Sequence, residues 1–253
     1  MSAVFCKPQT LTLMGSSTET VAVPKNLTND EPGMVWRSST TSGHVVFDTE
    51  SKPFDTIAAV GSNQRNSDTF RLRMANNLLD VNGTAPFDQA YPAWSGTAPI
   101  NDAISLVVLD SPVTYRYIRI DFVSPSHPSG YVEVCRLVVG KRVVNVGIDI
   151  GHEEVFDDTS SIEEGLGFTT IDSYQIRQQH KVTISHVKEP DYYTNWRPFL
   201  ASVGMSKYFL YVERTDDPHQ QHKMFFVRNT APPKRINTSW DQQQIELQVT
   251  TYK

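Results

Sequence analysis

Residues 115–123 read Tyr-Arg-Tyr-Ile-Arg-Ile-Asp-Phe-Val, and this stretch decides the fold class. Ile118, Ile120 and Phe122 alternate with Arg119 and Asp121, so the apolar side chains share one face of an extended segment and the charged ones share the other. The period of two predicts a β-strand that is buried on one side. Because Arg119 and Asp121 lie on the polar side, we interpret them as a surface ion pair rather than a ligand clamp.

Strand signals recur on both sides of this stretch. The further signals are Trp36, residues 54–57, residues 70–73, Trp94, residues 132–140, the alternating run Val144, Val146, Ile148 and Ile150, and the run Ile245, Leu247 and Val249. Pro and Gly residues separate the earlier signals at intervals typical of sandwich connections and become sparse after Gly140. The pattern predicts an all-β chain with a β-sandwich over 20–140 and a second β domain over 141–253, which residues 1–15 could join.

One segment near residues 190–203 departs from the β pattern. Its apolar side chains fall at helical spacing, at Tyr192, Trp196, Phe199, Leu200 and Val203. This spacing predicts a single amphipathic helix that packs Trp196, Phe199 and Leu200 against the second sheet and stops at Gly204. Pro198 would remove one backbone hydrogen bond, so we expect a kink or a helix start near Asn195.

Composition excludes several classes of protein. The 253 residues carry a formal net charge of −5, and the basic residues are dispersed, which argues against a nucleic-acid partner. No apolar run is long enough to insert in a membrane. The first thirteen residues lack a secretory pattern, and this predicts a cytoplasmic protein whose two cysteines, Cys6 and Cys135, are buried free thiols.

Catalytic motifs are missing from the sequence. There is no nucleophile elbow, phosphate loop or zinc-protease helix. The pairs Asp157-Asp158 and Glu163-Glu164 point apart on extended chain, and the segment from His219 to His222 is predicted to be a solvated loop rather than a metal site. We therefore expect no enzyme activity, no cofactor and no metal.

The second half contains, in order, a strand over 181–187, the helix, a strand over 208–213, an acidic turn over 216–218, a strand over 223–228 and a closing strand over 243–251. This order resembles the hub domain of phage distal tail and tail-tip proteins. The first half resembles the discoidin-like, galactose-binding-like segment that some siphophage tail proteins carry, on residues 116–120 (Arg-Tyr-Ile-Arg-Ile), Gly130-Tyr131 and Arg136-Leu137.

The resemblance implies a structural virion protein. Copies would form a homo-oligomeric ring at the distal end of the tail tube, assembled in the host cytoplasm and joined to other tail-tip, fibre or receptor-binding components. A jelly-roll sandwich would project from a barrel-like hub domain. In the sandwich, Trp36, Ile118 and Ile120 are the predicted core, with Trp36 closing an open end.

A carbohydrate-binding module that recognises a cell-surface glycan is the alternative. A discoidin-like domain would present its ligand from loops at one end, here residues 63–68 and 76–94, with Tyr91 and Trp94 as candidate sugar contacts. Residues 76–83 could also offer oxygen ligands to Ca²⁺, but they lack the spacing of a calcium loop, so we predict a turn there.

Overall fold

The structure is a computed structural model that describes residues 3–17, 22–31, 33–99, 102–145, 152–174 and 176–252. The chain divides into two compact units. Unit 1 comprises residues 1–144 and 209–224, and unit 2 comprises residues 145–208 and 225–253. The sequence placed 209–224 in the second domain, whereas its contacts place it in unit 1.

The described residues form twenty strands. The first ten are β1 (Ala3–Cys6), β2 (Thr12–Ser16), β3 (Trp36–Arg37), β4 (Ser42–Asp48), β5 (Phe54–Ser62), β6 (Thr69–Ala75), β7 (Phe87–Pro92), β8 (Ala103–Val113), β9 (Tyr117–Val123) and β10 (Glu133–Val134). The others are β11 (Arg136–Gly140), β12 (Arg142–Asn145), β13 (Glu153–Asp157), β14 (Ser161–Gly165), β15 (Phe168–Asp172), β16 (Arg177–Lys188), β17 (Phe209–Val212), β18 (Met224–Asn229), β19 (Lys234–Asn237) and β20 (Gln242–Thr251).

Helical segments are few and short. They are α1 (Leu78–Asn82), α2 (Glu189–Asp191), a π-helix (Tyr192–Trp196), α3 (Arg197–Val203), and two 3₁₀ turns at Pro24–Thr28 and Gln220–His222. The prediction of an all-β fold with one short helix is therefore confirmed. Of the predicted strand over residues 144–150, the positions 146–150 lie outside the described residues.

Unit 1 contains a β-sandwich. A five-stranded antiparallel sheet in the order β2-β4-β9-β6-β7 packs against a three-stranded sheet in the order β11-β5-β8. The core between them consists of apolar side chains from both sheets. It includes Phe47, Ile57, Phe70, Leu72, Val107, Ile118, Ile120, Phe122 and Leu137. Alternation along β9 puts Ile118 and Ile120 into this core, where both are fully buried.

Trp36 lies inside the same core. Its side chain is fully buried, and its ring contacts that of Phe122 at a centroid distance of 5.4 Å. The short pair of β3 with β10 holds the backbone of Trp36 opposite Val134. The indole therefore fills the sandwich core from a strand of its own.

The N-terminal residues contribute to unit 1 in two places. Strand β1 pairs antiparallel with β17, where Phe5 stacks on Tyr211 at 5.1 Å. Strand β2 joins the five-stranded sheet beside β4. Cys6 and Cys135 are buried free thiols, as predicted, and burial raises the pKa of Cys6.

A bulge in β5 needs a glycine. Gly61 has a φ of +66° at the register shift between Ala59 and Ser62. A Cβ built there would lie 2.6 Å from the Sγ of Cys135. A side chain at this position would therefore be strained and would collide with the core.

Unit 2 is built on a long antiparallel pair. Strand β16 pairs with β20 along most of its length, and β13 pairs with the other edge of β16. Strands β18 and β19 both lie against the remaining edge of β20, at Val249–Thr251 and Gln243–Glu246 respectively. Strands β14 and β15 form a separate hairpin.

The helix of unit 2 accommodates its prolines by widening. It runs from Glu189 to Val203, and the N–H of Arg197 donates to the carbonyl of Tyr192, five residues back. Such a π-turn suits a helix in which Pro198 can make no bond of its own. The predicted helix is present, but a start near Asn195 was wrong. Trp196 is fully buried, Phe199 is 6% exposed, and Leu200 is only half-buried.

Candidate functional site

Charged side chains cover the outer face of the five-stranded sheet in unit 1. Strand β6 alternates Phe70, Leu72 and Met74, which are buried, with Arg71 and Arg73, which point outward. The strand register places Arg71 opposite Ala90 of β7 and Asp121 of β9. The outer face is therefore a polar surface fixed by a rigid sheet.

Arg71 and Asp88 form a two-point ion pair on this face. The Nε and Nη2 atoms of Arg71 each lie 2.6 Å from one carboxylate oxygen of Asp88. Both side chains are about one-third exposed. Hydrogen bonding to Arg71 lowers the pKa of Asp88, so its carboxylate stays ionised and presents acceptors at neutral pH.

A second, more buried part of the network centres on Asp121. Its carboxylate lies 3.2 Å from the Nε of Arg73 and 2.8 Å from the Nη2 of Arg119. Arg119 also donates to the side-chain oxygen of Asn82 at 2.9 Å. The predicted pair of Arg119 with Asp121 exists, but these side chains are only 16% and 12% exposed, so they are not a solvated surface pair.

A shallow, open depression of about 530 Å³ lies on this face. Its lining consists of Thr69, Arg71, Asp88, Ala90 and Val123. The charged pair and the threonine hydroxyl supply donors and acceptors, while the two small apolar side chains supply a surface without polar groups. A flat polar ligand with some C–H surface would match this combination.

Loops at the neighbouring end of the sandwich are tied together. The Nη2 of Arg65 contacts the carboxylate of Asp68 at 2.9 Å and donates to the carbonyl of Pro125 at 2.7 Å. Burial alone would raise the pKa of Asp68, but hydrogen bonds from Arg65 and Ser124 together lower it. Since Thr69 and Val123 directly follow and precede these loops, the depression borders this end.

His127 fixes the same loop cluster from a buried position. The backbone N–H of Ser129 donates to Nδ1 of His127, which leaves Nε2 as the donor to the carbonyl of Asn63 at 2.9 Å. The Asn63 side chain in turn accepts from the N–H of Glu133 and donates to the carbonyl of Tyr131. The hydrogen bonds of His127 and Asn63 therefore fix the conformation of these loops.

Trp94 and Tyr91, the predicted sugar contacts, have different surroundings. The indole N–H of Trp94 donates to the carbonyl of Gln64 at 2.7 Å, which holds the half-buried ring at the loop end. Tyr91 packs against the sandwich core and its hydroxyl donates to the side chain of Gln89. Neither residue lines the depression, although Tyr91 is next to Ala90.

Residues 76–83 lie at the opposite end of the sheet from Trp94. Strand β6 runs between them, because Asp68 precedes it and Asn76 follows it. The expectation that 63–68 and all of 76–94 share one end was therefore wrong. The predicted turn is the short helix α1, capped by the side chain of Asn77, which accepts from the N–H of Leu79.

The segment from His219 to His222 is anchored rather than solvated. The side chain of Gln221 is buried and exchanges two hydrogen bonds with the backbone of Ile104, each at 3.0 Å. His219 contacts the hydroxyl of Thr97 through Nδ1. The solvated-loop prediction was wrong because a contact more than a hundred residues distant cannot be read from a local pattern.

The described residues offer neither a cluster of metal-binding side chains nor a membrane-spanning helix. Within them, no group of three or more His, Cys, Asp and Glu side chains is placed to hold a metal ion. None of the helices described is long and apolar enough to cross a membrane.

Sequence reasoning missed the depression and a histidine pair in unit 2. The alternation at 70–73 was visible, but the pairing of Arg71 with Asp88 depends on strand register. His180 is buried in unit 2 with its Nδ1 3.1 Å from Nε2 of His152 and its ring 4.2 Å from Phe225. Burial, with a smaller contribution from His152, lowers the pKa of His180 to about 4.

Comparisons with known proteins give structural likenesses only. No protein-family model matches the chain, and no curated protein matches it in sequence. Among solved structures, CpGH89CBM32-6 from Clostridium perfringens shares 17% identity at a TM-score of 0.39, over 52% of this chain and 93% of its own.

Two other similar structures are described with a bound sugar. The family 32 CBM of NanJ from C. perfringens, in complex with galactose, shares 16% identity over 54% of this chain and 98% of its own, with a TM-score of 0.37. The CBM32 of AlyQ, in complex with 4,5-unsaturated mannuronic acid, shares 16% identity over 53% and 96%, with a TM-score of 0.36. At these values no ligand can be transferred to this chain, so its function has to be inferred from its own residues.

Proposed function

We propose that unit 1 is a non-catalytic module that binds a saccharide in the depression lined by Arg71 and Asp88. The observation that carries this proposal is the two-point pair of these side chains, held on a rigid sheet beside Ala90 and Val123. Neighbouring hydroxyls of a sugar both donate and accept hydrogen bonds. A guanidinium beside a carboxylate can donate a hydrogen bond to one hydroxyl of such a pair and accept one from the other.

The same pair is poorly suited to glycoside cleavage. A glycosidase needs a carboxylic acid with a raised pKa opposite a second carboxylate. The pKa of Asp88 is instead lowered by Arg71, and Asp121 is engaged by Arg73 and Arg119. These observations support binding without catalysis.

The charge of the network suggests the class of saccharide. Three guanidinium groups, of Arg71, Arg73 and Arg119, face two carboxylates, of Asp88 and Asp121. The network therefore carries one excess positive charge. We expect saccharides that contain a uronic acid to bind more tightly than neutral ones, and we expect this preference to weaken as salt concentration rises.

A panel of neutral and acidic oligosaccharides, measured by calorimetry, tests the proposal. Arg71→Met keeps the aliphatic stem but removes the charged donors, and should weaken binding by roughly 10- to 100-fold, the value of a hydrogen bond to a charged group. Arg116→Met is the matched control, because Arg116 pairs with Asp48 beside the other end of the sheet. Equal affinities of wild type and Arg71→Met would exclude the depression, and no binding to any saccharide would exclude the proposal.

Trp94 and Tyr91 allow the site to be located more finely. If the saccharide extends from the depression to the loop end, Trp94→Leu should weaken binding while Arg71→Met still abolishes most of it. If Trp94→Leu alone abolishes binding and Arg71→Met has no effect, the saccharide site is the loop end. Tyr91→Phe should leave affinity unchanged, because its hydroxyl is already engaged by Gln89.

Assembly at a phage tail tip is the second candidate function. One observation favours an assembly role, namely an exposed apolar hairpin in unit 2 at Ser161–Asp172. In this candidate the protein is a virion component that meets tail-tube, hub or fibre proteins. Immunogold labelling of purified phage particles with an antibody to this chain would test it, and unlabelled tails would exclude it.

A further inference from the structure

Exposed apolar side chains are concentrated in one short part of unit 2. Eight of the seventeen large hydrophobic side chains that are exposed in the described chain fall between residues 155 and 176, namely Val155, Phe156, Ile162, Leu166, Phe168, Ile171, Tyr174 and Ile176. Single exposed apolar residues are common, but such a concentration in one short segment indicates an interaction surface.

The hairpin of β14 and β15, which we call the arm, carries four of these residues. Ile162 and Ile171 are directly opposite each other, so they share one face and are 63% and 58% exposed. Phe168 lies on the other face, across Gly165, where a Cβ would collide with its ring. Leu166 is at the turn, completely exposed, and is followed by Gly167 with a φ of +88°.

The arm is a solvent-exposed strand pair that could extend another sheet. All ten residues of its two strands are exposed. Glu163, Glu164 and Asp172 give it three negative charges and no positive one. An isolated two-stranded hairpin is only marginally stable in water. We therefore expect one with exposed apolar side chains to pack against another polypeptide surface.

Strand β19 offers a surface of complementary character in the same unit. Its four residues are exposed, and they include Lys234, Arg235 and Ile236. Within the described residues, one edge of β19 pairs with β20 and no strand pairs with the other. Trp240, which follows the strand, is 90% exposed. The free edge is therefore basic and partly apolar.

The arm and β19 occupy opposite corners of the sheet of unit 2. The arm follows β13, which is separated from β19 by β16 and β20. Strand β13 ends at Asp157 opposite Arg177, near the Thr250 end of β20, whereas β19 pairs at its Gln243 end. With strands about 4.8 Å apart, β13, from which the arm extends, is separated from β19 by roughly 14 Å across the sheet, and the arm and β19 are also at opposite ends along it.

We propose that the arm of one copy adds to the free edge of β19 in a second copy of this chain. The backbone edges supply hydrogen bonds, Ile162 and Ile171 meet Ile236, and the acidic arm meets Lys234. Because the two surfaces differ and lie on opposite corners, the contact is head to tail. Repetition of such a contact gives a closed ring or an open filament, according to the angle between copies.

Assembly through the arm does not depend on saccharide binding. The tail-tip candidate would use the same contact, but the contact does not require that the assembly belongs to a virion. Loss of assembly in an arm variant with unchanged saccharide affinity would separate the two properties. Labelling of phage particles tests the virion role independently of both.

Sedimentation velocity of the full chain over a range of concentrations tests the contact. The wild type should form species larger than 28.5 kDa. An arm variant, Ile162→Thr with Ile171→Thr, keeps β propensity and should be monomeric. An edge variant, Lys234→Glu with Ile236→Thr, should also be monomeric. Met205→Thr, at another exposed apolar residue of unit 2, is the control and should assemble like the wild type.

A mixture of the two variants gives the decisive result. The arm variant retains its edge and the edge variant retains its arm, so together they should form a dimer that grows no further. A mixture that stays monomeric would overturn the pairing of the arm with β19. A wild type that is monomeric at every concentration would overturn the second copy as the partner.

Discussion

The outer sheet face of unit 1 and the arm of unit 2 expose different kinds of side chain. On the sheet face, the side chains of Arg71, Arg73, Asp88, Arg119 and Asp121 form ion pairs within one strand or with an adjacent strand. On the arm, the apolar side chains of Ile162, Leu166, Phe168 and Ile171 are each more than half exposed to solvent. The first arrangement holds charged groups in fixed positions, where we propose that a saccharide binds, whereas the second leaves exposed apolar area, which we propose that a second copy covers.

Trp196→Ala should have the largest effect on stability. The indole is fully buried in the helix of unit 2, with Phe199 edge-on at 6.1 Å, so truncation removes apolar contact and leaves a cavity. The expected loss is about 3–5 kcal/mol in the free energy of unfolding, measured by denaturant titration. Leu200→Ala is the matched comparison on the same helix, and should cost less because its side chain is half-buried. A larger loss for Leu200→Ala would contradict the placement of the helix.

Asp121→Asn should be the most damaging change on the charged face. It leaves Arg119 without an ionised partner and leaves Arg73 with only its longer contact to Asp88, at 3.8 Å. Removal of one member of such a group should cost about 2 kcal/mol, after allowance for partial exposure. Asp88→Asn, at the more exposed end of the network, should cost less than about 1 kcal/mol. Equal losses in the two variants, measured by thermal unfolding, would argue against a buried centre at Asp121.

Acid should destabilise unit 2 through His180. Its pKa is lowered to about 4 in the folded protein, from an ordinary value near 6.5, so the folded state binds fewer protons than the unfolded state between these two values. The free energy of unfolding should therefore fall as pH decreases from about 6.5 to about 4, by roughly 2 kcal/mol. His180→Phe keeps a ring against Phe225 and should flatten this part of the pH profile. An unchanged slope in the variant would assign the effect to other groups.

The difference between the regions also shows how far the sequence could be interpreted. Period-two alternation identified β9 and the direction in which Ile118 and Ile120 point, because burial on one side of a strand leaves a local pattern. The depression could not be predicted, since Arg71 and Asp88 are seventeen positions apart and meet only through the register of β6 with β7. The location of Gln221 in unit 1 depends on a still more distant contact with Ile104.

The arm escaped prediction for a different physical reason. Residues 161–172 contain the pattern of a hairpin, with Gly165, Leu166 and Gly167 at its turn. The local sequence does not indicate whether the rest of the same chain buries the apolar side chains of this hairpin. The adjacent acids Glu163 and Glu164 are predicted to point apart. In the fold they lie on opposite faces of β14, and all five residues of that strand are exposed.

The smallest stability effect is expected for the arm itself. Ile162→Thr with Ile171→Thr alters two side chains that are more than half exposed, and Thr retains a high preference for strands. The free energy of unfolding of the monomer should change by less than about 0.5 kcal/mol, as for surface substitutions in general. Assembly should nevertheless be lost. A large loss of stability in the monomeric state would mean that the arm folds back onto its own chain, and the contrast with the charged face would then disappear, because both regions would be satisfied within a single copy.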